Sequence, residues 1–297
     1  MSLLSHLKLL SKDFLPPIVV RALRRSHQNA AVIDQRGSAM DTFYASLVQP
    51  KSLCFDIGAN IGNRVATLRR LGLRVVAVEP QPQCYSLLQS SYGGDHGVTL
   101  LNKAVGRVSG KAKMMVSDAH VYSTLSQAFL EATSRSGRFG DIAWDKTITV
   151  DVVTLDALIA EYGVPNFIKV DVEGFELEVI RGLSCPISLM SLEWAPEMTD
   201  NIIECIAHLS KLGPISCNLS WVESMRLARS NWMDKDSLIS ILNQFREETY
   251  LFADVYIRSC NCALSKLDEQ AESGHGSLGE RTGLPVLDCN PPFRDDA

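Results

Sequence analysis

The residues best placed to do chemistry are acids that close apolar runs. Leu53-Cys54-Phe55 leads into Asp56, and the glycine-punctuated turn Asp56-Ile57-Gly58-Ala59-Asn60-Ile61-Gly62 follows. Val75-Val76-Ala77-Val78 leads into Glu79 and Pro80. Asn166 to Asp171 carries Lys169 and Asp171 two positions apart, and so on one face of a strand. Glu173 follows, and the run Ile187 to Glu193 ends in another acid before Trp194. Gly58 and Gly62 read as places where the backbone approaches a ligand that a Cβ would obstruct. An acid about twenty residues beyond such a turn stands at the offset that reaches two ribose hydroxyls of a nucleotide cofactor. Asp56 would repel a pyrophosphate but suits an ammonium or a sulfonium, so D-x-G-x-N-x-G is not a dinucleotide fingerprint. A plain βαβ unit, in which these residues only make a tight turn, is the alternative.

Such acids act together only if the fold brings strand ends to one edge. Ser52 to Pro80 reads as strand, turn, helix, strand. A helix over Pro82 to Tyr92 ends at Gly93-Gly94, and a third strand spans Val98 to Asn102. Lys111 to Val116 and Thr147 to Val153 have strand patterns, with a polar, irregular stretch between them. That stretch is longer than an ordinary connection, as functional lids and binding loops are. Buried strands from Asn166 and Ile187 then alternate with helical patterns, including Phe175 to Gly182 and Thr199 to Leu212. In an open α/β sheet, ligands bind at the carboxyl edge where these acids lie.

DIGANIGN, VVAVEPQP, IKVDVEGFELEVIRG and SLEW occur in that order between about Ser52 and Pro196. They resemble the FkbM family of S-adenosylmethionine-dependent methyltransferases, and FADVYIR near Asp254 looks like that family's last strand. The resemblance implies an α/β, Rossmann-like class I methyltransferase fold. Its sheet would be mostly parallel and seven-stranded, with helices on both faces and one antiparallel strand near an edge. It implies methylation of a hydroxyl on a sugar, glycolipid or other secondary-metabolite acceptor. Asp56, Gly58, Asn60 and Gly62 would hold the methionine part of the cofactor, and Glu79 and Pro80 the ribose. Asn102 and Ala104 would lie by the adenine, with Ser123 in a Ser/Thr-rich stretch similar to one in the family. Asp171 would face the sulfonium and the incoming hydroxyl.

Asp171, Glu173, Glu193 and His120 are the catalytic candidates. Glu173 also reads as a partner of the following helix dipole, and His120 as a solvated loop histidine. The three acids are hard oxygen ligands, but no histidine lies near them in sequence, so no metal ligand is assigned. A nicotinamide-dependent oxidoreductase and a non-catalytic binding or assembly subunit are the competing readings. The first lacks the third phosphate-facing glycine, and the second leaves Asp56, Gly58, Glu79 and Asp171 without a task.

A formal charge of −5 argues against broad electrostatic binding to nucleic acid. The eight cysteines include no C-x-x-C pair and several sit in apolar patterns, which suits reduced thiols and a cytoplasmic protein. The expected organisation is a helical or lid region over 1–50, a methyltransferase domain over 51–258 and a disordered tail over 259–297. Residues 1–25 are leucine-rich and basic. They read as a helix over the domain's own core, with peripheral membrane contact as the sharper alternative.

Overall fold

A computed structural model describes residues 39–117, 123–139, 144, 146–249 and 251–260. His120, residues 1–38 with the leucine-rich basic stretch 1–25, and the tail from 261 onward lie outside the described residues. Among the described residues, no helix is long and apolar enough to cross a membrane.

Seven strands form the central sheet: β1 (Leu53–Ile57), β2 (Arg74–Val78), β3 (Val98–Leu101), β7 (Phe167–Val170), β8 (Leu189–Trp194), β9 (Ile215–Trp221) and β10 (Ala253–Ser259). Their order is β3-β2-β1-β7-β8-β10-β9. β1 to β3, β7 and β8 are parallel, and β10 runs antiparallel between β8 and β9. This is the expected α/β architecture. β1 is flanked by β2 on one side and by β7 on the other, so the strand order reverses at β1. In open α/β sheets such a reversal is where a ligand crevice forms at the carboxyl edge.

Alternation along the strands separates two cores. Phe55 and Ile57 of β1 join Ile168, Val170, Leu192 and the helix Thr199–Leu212 on one face. Cys54, Val75, Ala77, Phe167 and Tyr256 face the other side. Phe43, Tyr44 and Val48, which belong to or follow the helical segment 39–45, complete that second core together with the helix Asn63–Arg70. Residues 40–48 thus pack against the same face of the sheet.

A second sheet lies between β3 and β7 in the chain. It consists of β4 (Ala104–Val105), β6 (Lys146–Val153) and β5 (Gly110–Val116) in that spatial order. Ala104, Met114 and Val150 form its small core. The stretch expected to be irregular contains a helix, Gln127–Ser136. Ser126 caps it by accepting from the Phe129 amide, and Gly137 ends it in the left-handed conformation. A bidentate contact from Arg138 to Glu197 anchors the end of this helix, and Arg138 Nη2 also donates to the Leu251 carbonyl.

Candidate active site

The turn after β1 is held by β2. The amides of Gly58 and Ala59 both donate to the Val78 carbonyl, at 2.9 and 3.1 Å. Asn60 adopts a left-handed φ of 50°, and its amide donates to Glu79 Oε2 at 2.8 Å. The Gln81 amide donates to Glu79 Oε1 at 2.8 Å. Asn102 Nδ2 donates to the carbonyls of Glu79 and Pro80, so these residues are fixed to the end of β3. Burial raises Glu79 to about 7, while the two amide donors pull it back. An ionised carboxylate offers about four acceptor positions. The amides of Asn60 and Gln81 and the Gln81 side chain take three, which leaves one for a ribose hydroxyl.

The structure gives both glycines of this turn a steric reason within the protein itself. Gly58 has φ 82°, and a Cβ there would lie 1.9 Å from the Asp171 carbonyl oxygen. At Gly62, with φ 93°, a Cβ would meet Tyr92 and Leu88 of the helix Pro82–Tyr92. The close approach is made by the protein's own chain. Ala104, assigned to the adenine, has its side chain buried in the second sheet's core. Ser123 lies shortly before the helix Gln127–Ser136. It is buried and donates to Gln81 Oε1 at 2.9 Å, just beyond the end of β2. The next residue, Thr124, donates to the Glu173 carbonyl at 2.7 Å, so this pair bridges the loops after β2 and β7.

Beyond β7 the chain makes a tight acidic loop. Glu173 and Gly174 have φ of 53° and 87°, and a Cβ on Gly174 would strike Phe129. Glu176 Oε1 clamps the loop by accepting from the amides of Val172 and Gly174. Burial raises Glu176 to about 7. The helix Glu176–Ile180 carries Glu176 and Glu178 in its first turn, and Glu173 lies three residues before its start. Carboxylate oxygens of Asp171, Glu173 and Glu193 come within 4.8 Å of one another. Hard oxygen ligands so arranged could hold a cation such as Mg²⁺ or Ca²⁺.

Asp56 is enclosed, not open to solvent. It is 1% exposed and pairs in register with Lys169, and its Oδ2 has no hydrogen-bond partner among the described residues. Burial raises it to about 6, opposed by the nearby charges of Lys169 and Arg64 and assisted by Asp171. Lys169 is equally enclosed, with Nζ 3.3 Å from Asp171 Oδ2 and 3.1 Å from Asp254 Oδ1. Sequence reasoning passed over Asp254, Arg64, Gln81 and Glu176. Glu176 had a signal, since an acid just after a glycine turn can accept its amides. Asp254 had none, because its position depends on the antiparallel return of β10.

Three solved structures are similar to this one at low identity. The precorrin-6y C5,15-methyltransferase from Geobacter metallireducens is 11% identical over 74% of this chain and 86% of that one, with a TM-score of 0.39. A TehB-like SAM-dependent methyltransferase from Corynebacterium glutamicum is 9% identical over 74% and 87%, with a TM-score of 0.38. Fibrillarin from Aeropyrum pernix, with natively bound S-adenosyl-L-methionine, is 11% identical over 71% and 68%, with a TM-score of 0.35. No curated protein matches the sequence. The family profile described as "Methyltransferase FkbM domain" matches residues 56–212, more than half of the chain. The chain belongs to the FkbM methyltransferase domain family, and its cofactor is S-adenosylmethionine.

Proposed function

We propose that this methyltransferase acts on a hydroxyl group, on a sugar, glycolipid or similar secondary-metabolite acceptor, with Asp171 receiving or orienting the hydroxyl proton. Bound S-adenosylmethionine supplies a methyl group already activated by its positive sulfur. Glu79 uses its remaining acceptor position for a ribose hydroxyl. The turn 58–62 presents backbone at the edge of the crevice, and Asp56 lends negative potential from beneath it. Its burial, not a place at the mouth, is the reason for assigning it that indirect role.

The convergence of Asp171 with Glu173 and Glu193 carries the reading. A carboxylate at this edge can take the proton as the oxygen–carbon bond forms and the carbon–sulfur bond breaks, with the electron pair leaving on sulfur. Positioning can supply much of the rate of such a displacement, by the effective-molarity argument about 7 kcal/mol or more. No strong base is needed, and no step is routed through a metal.

The test is transfer of a tritiated methyl group from S-adenosylmethionine to pooled sugar, glycolipid and polyketide alcohols, with amines and carboxylic acids in parallel. The expected product holds its label after alkaline treatment, as a methyl ether does. Label confined to amines, or released by base as from an ester, contradicts the hydroxyl reading. Asp171→Asn should lower turnover by about a hundredfold, within the range for a lost general base. Its S-adenosylmethionine affinity should fall by no more than about tenfold, a difference of about 1.4 kcal/mol that stays well short of the loss in turnover.

A further inference from the structure

The proposed chemistry needs the Asp171 carboxylate to keep its place, yet Asp171 lies one residue beyond β7 and its side chain is 32% exposed. Behind it stands Lys169, whose side chain is 2% exposed. The ammonium is shared between Asp171 Oδ2 at the mouth and Asp254 Oδ1 behind it, at 3.3 and 3.1 Å. Asp254 is itself only 8% exposed and sits in register opposite Glu193. β10 runs antiparallel to β8, so the start of β10 meets the edge where β7 and β8 end. The inner ion pair therefore fixes the Nζ position from two different strands, and the outer contact reaches from that fixed point to Asp171.

The geometry points to Lys169 and Asp254 as a positioning pair that holds the Asp171 carboxylate for methyl transfer. This assignment rests on the proposed role of Asp171. A purely structural ion pair behaves differently. Replacing both buried charges with apolar groups of similar volume often leaves a fold as stable as before, whereas removing one partner strands the other. Exchange of the whole pair thus separates packing from positioning.

The experiment is calorimetric titration of the full chain with S-adenosylmethionine and, separately, with S-adenosylhomocysteine, which lacks the methyl group and the positive charge. The variants are Lys169→Met/Asp254→Leu, Lys169→Arg and Asp254→Asn. A carboxylate held by the pair favours the cationic ligand over the neutral one. The ratio of the two dissociation constants should therefore shift by about five- to tenfold against the cation in the double variant, the scale of one moderately screened charge moved by a few ångströms. Affinity for S-adenosylhomocysteine should stay within about twofold. Asp254→Asn, close to the native shape, should shift the ratio the same way, and Lys169→Arg should keep most of the parent's ratio. An unchanged ratio in a folded double variant, or in a folded Asp254→Asn, overturns the assignment. Failure of the parent protein to bind either ligand refutes the cofactor site itself, which is a separate outcome.

Discussion

Gly58→Ala separates two explanations of the cofactor turn. If the glycine leaves room for a ligand, a methyl group there should cost ligand affinity and little stability. The structure places the Asp171 carbonyl oxygen 1.9 Å from the position a Cβ would take. β1 and the loop after β7 must then move apart in the free protein as well. The left-handed φ of 82° costs an alanine about 1–2 kcal/mol. Forcing an atom into packed structure adds about 1–3 kcal/mol. Gly72 is the matched control, since it has φ 78° and a Cβ there would meet nothing within 4 Å. Gly72→Ala should carry the conformational cost alone. At about 2–4 °C per kcal/mol for a domain of this size, Gly58→Ala should lower Tm by about 10 °C and Gly72→Ala by about 4 °C. Scanning calorimetry of both variants without ligand is the assay. Equal losses, or a stable Gly58→Ala that fails only to bind S-adenosylmethionine, would refute the contact with Asp171 as the reason for the glycine.

Two further outcomes follow from buried charge. Asp56, Glu79 and Glu176 have folded-state values raised from 3.8, 4.5 and 4.5 to about 6, 7 and 7. The folded chain thus holds more protons than the unfolded chain across this window. Stability is greatest below the unfolded values and falls as pH rises through the folded ones, so Tm without ligand should be higher at about pH 5.5 than at about pH 7.5. A Tm that rises over that interval contradicts the sign. The Arg138–Glu197 pair is buried, with side chains 9% and 6% exposed. Arg138→Met should cost about 3–5 kcal/mol in denaturant unfolding by stranding Glu197, and Arg138→Met/Glu197→Leu should recover most of it.

The central sheet was legible because its apolar runs are short, bounded by turn residues and closed by acids. Asp56, Glu79, Asp171 and Glu193 fall at strand ends in the sequence and remain there in the fold. The neighbours of those residues were not legible. Gly58 looks the same in sequence whether a ligand or the Asp171 carbonyl lies against it. The helix Gln127–Ser136 is obscured in the sequence because its polar residues outweigh the few apolar positions, although Ser126 and Gly137 mark its two ends. Asp254 could not be placed before the strand order was known, since it reaches Lys169 across an intervening β8. Asp56 suggests a ligand contact by its position beside a glycine turn. Strand alternation directs it inward, to the row it shares with Lys169.

The most direct measurement is calorimetric titration of the purified chain with S-adenosylmethionine, alongside Glu79→Ala. The account predicts saturable one-to-one binding by the parent protein. It predicts a loss of at least about thirtyfold in the variant, corresponding to about 2 kcal/mol for removal of a charged hydrogen-bonding partner. Binding of equal strength in both proteins would place the ribose elsewhere, and no binding by the folded parent would contradict the cofactor site.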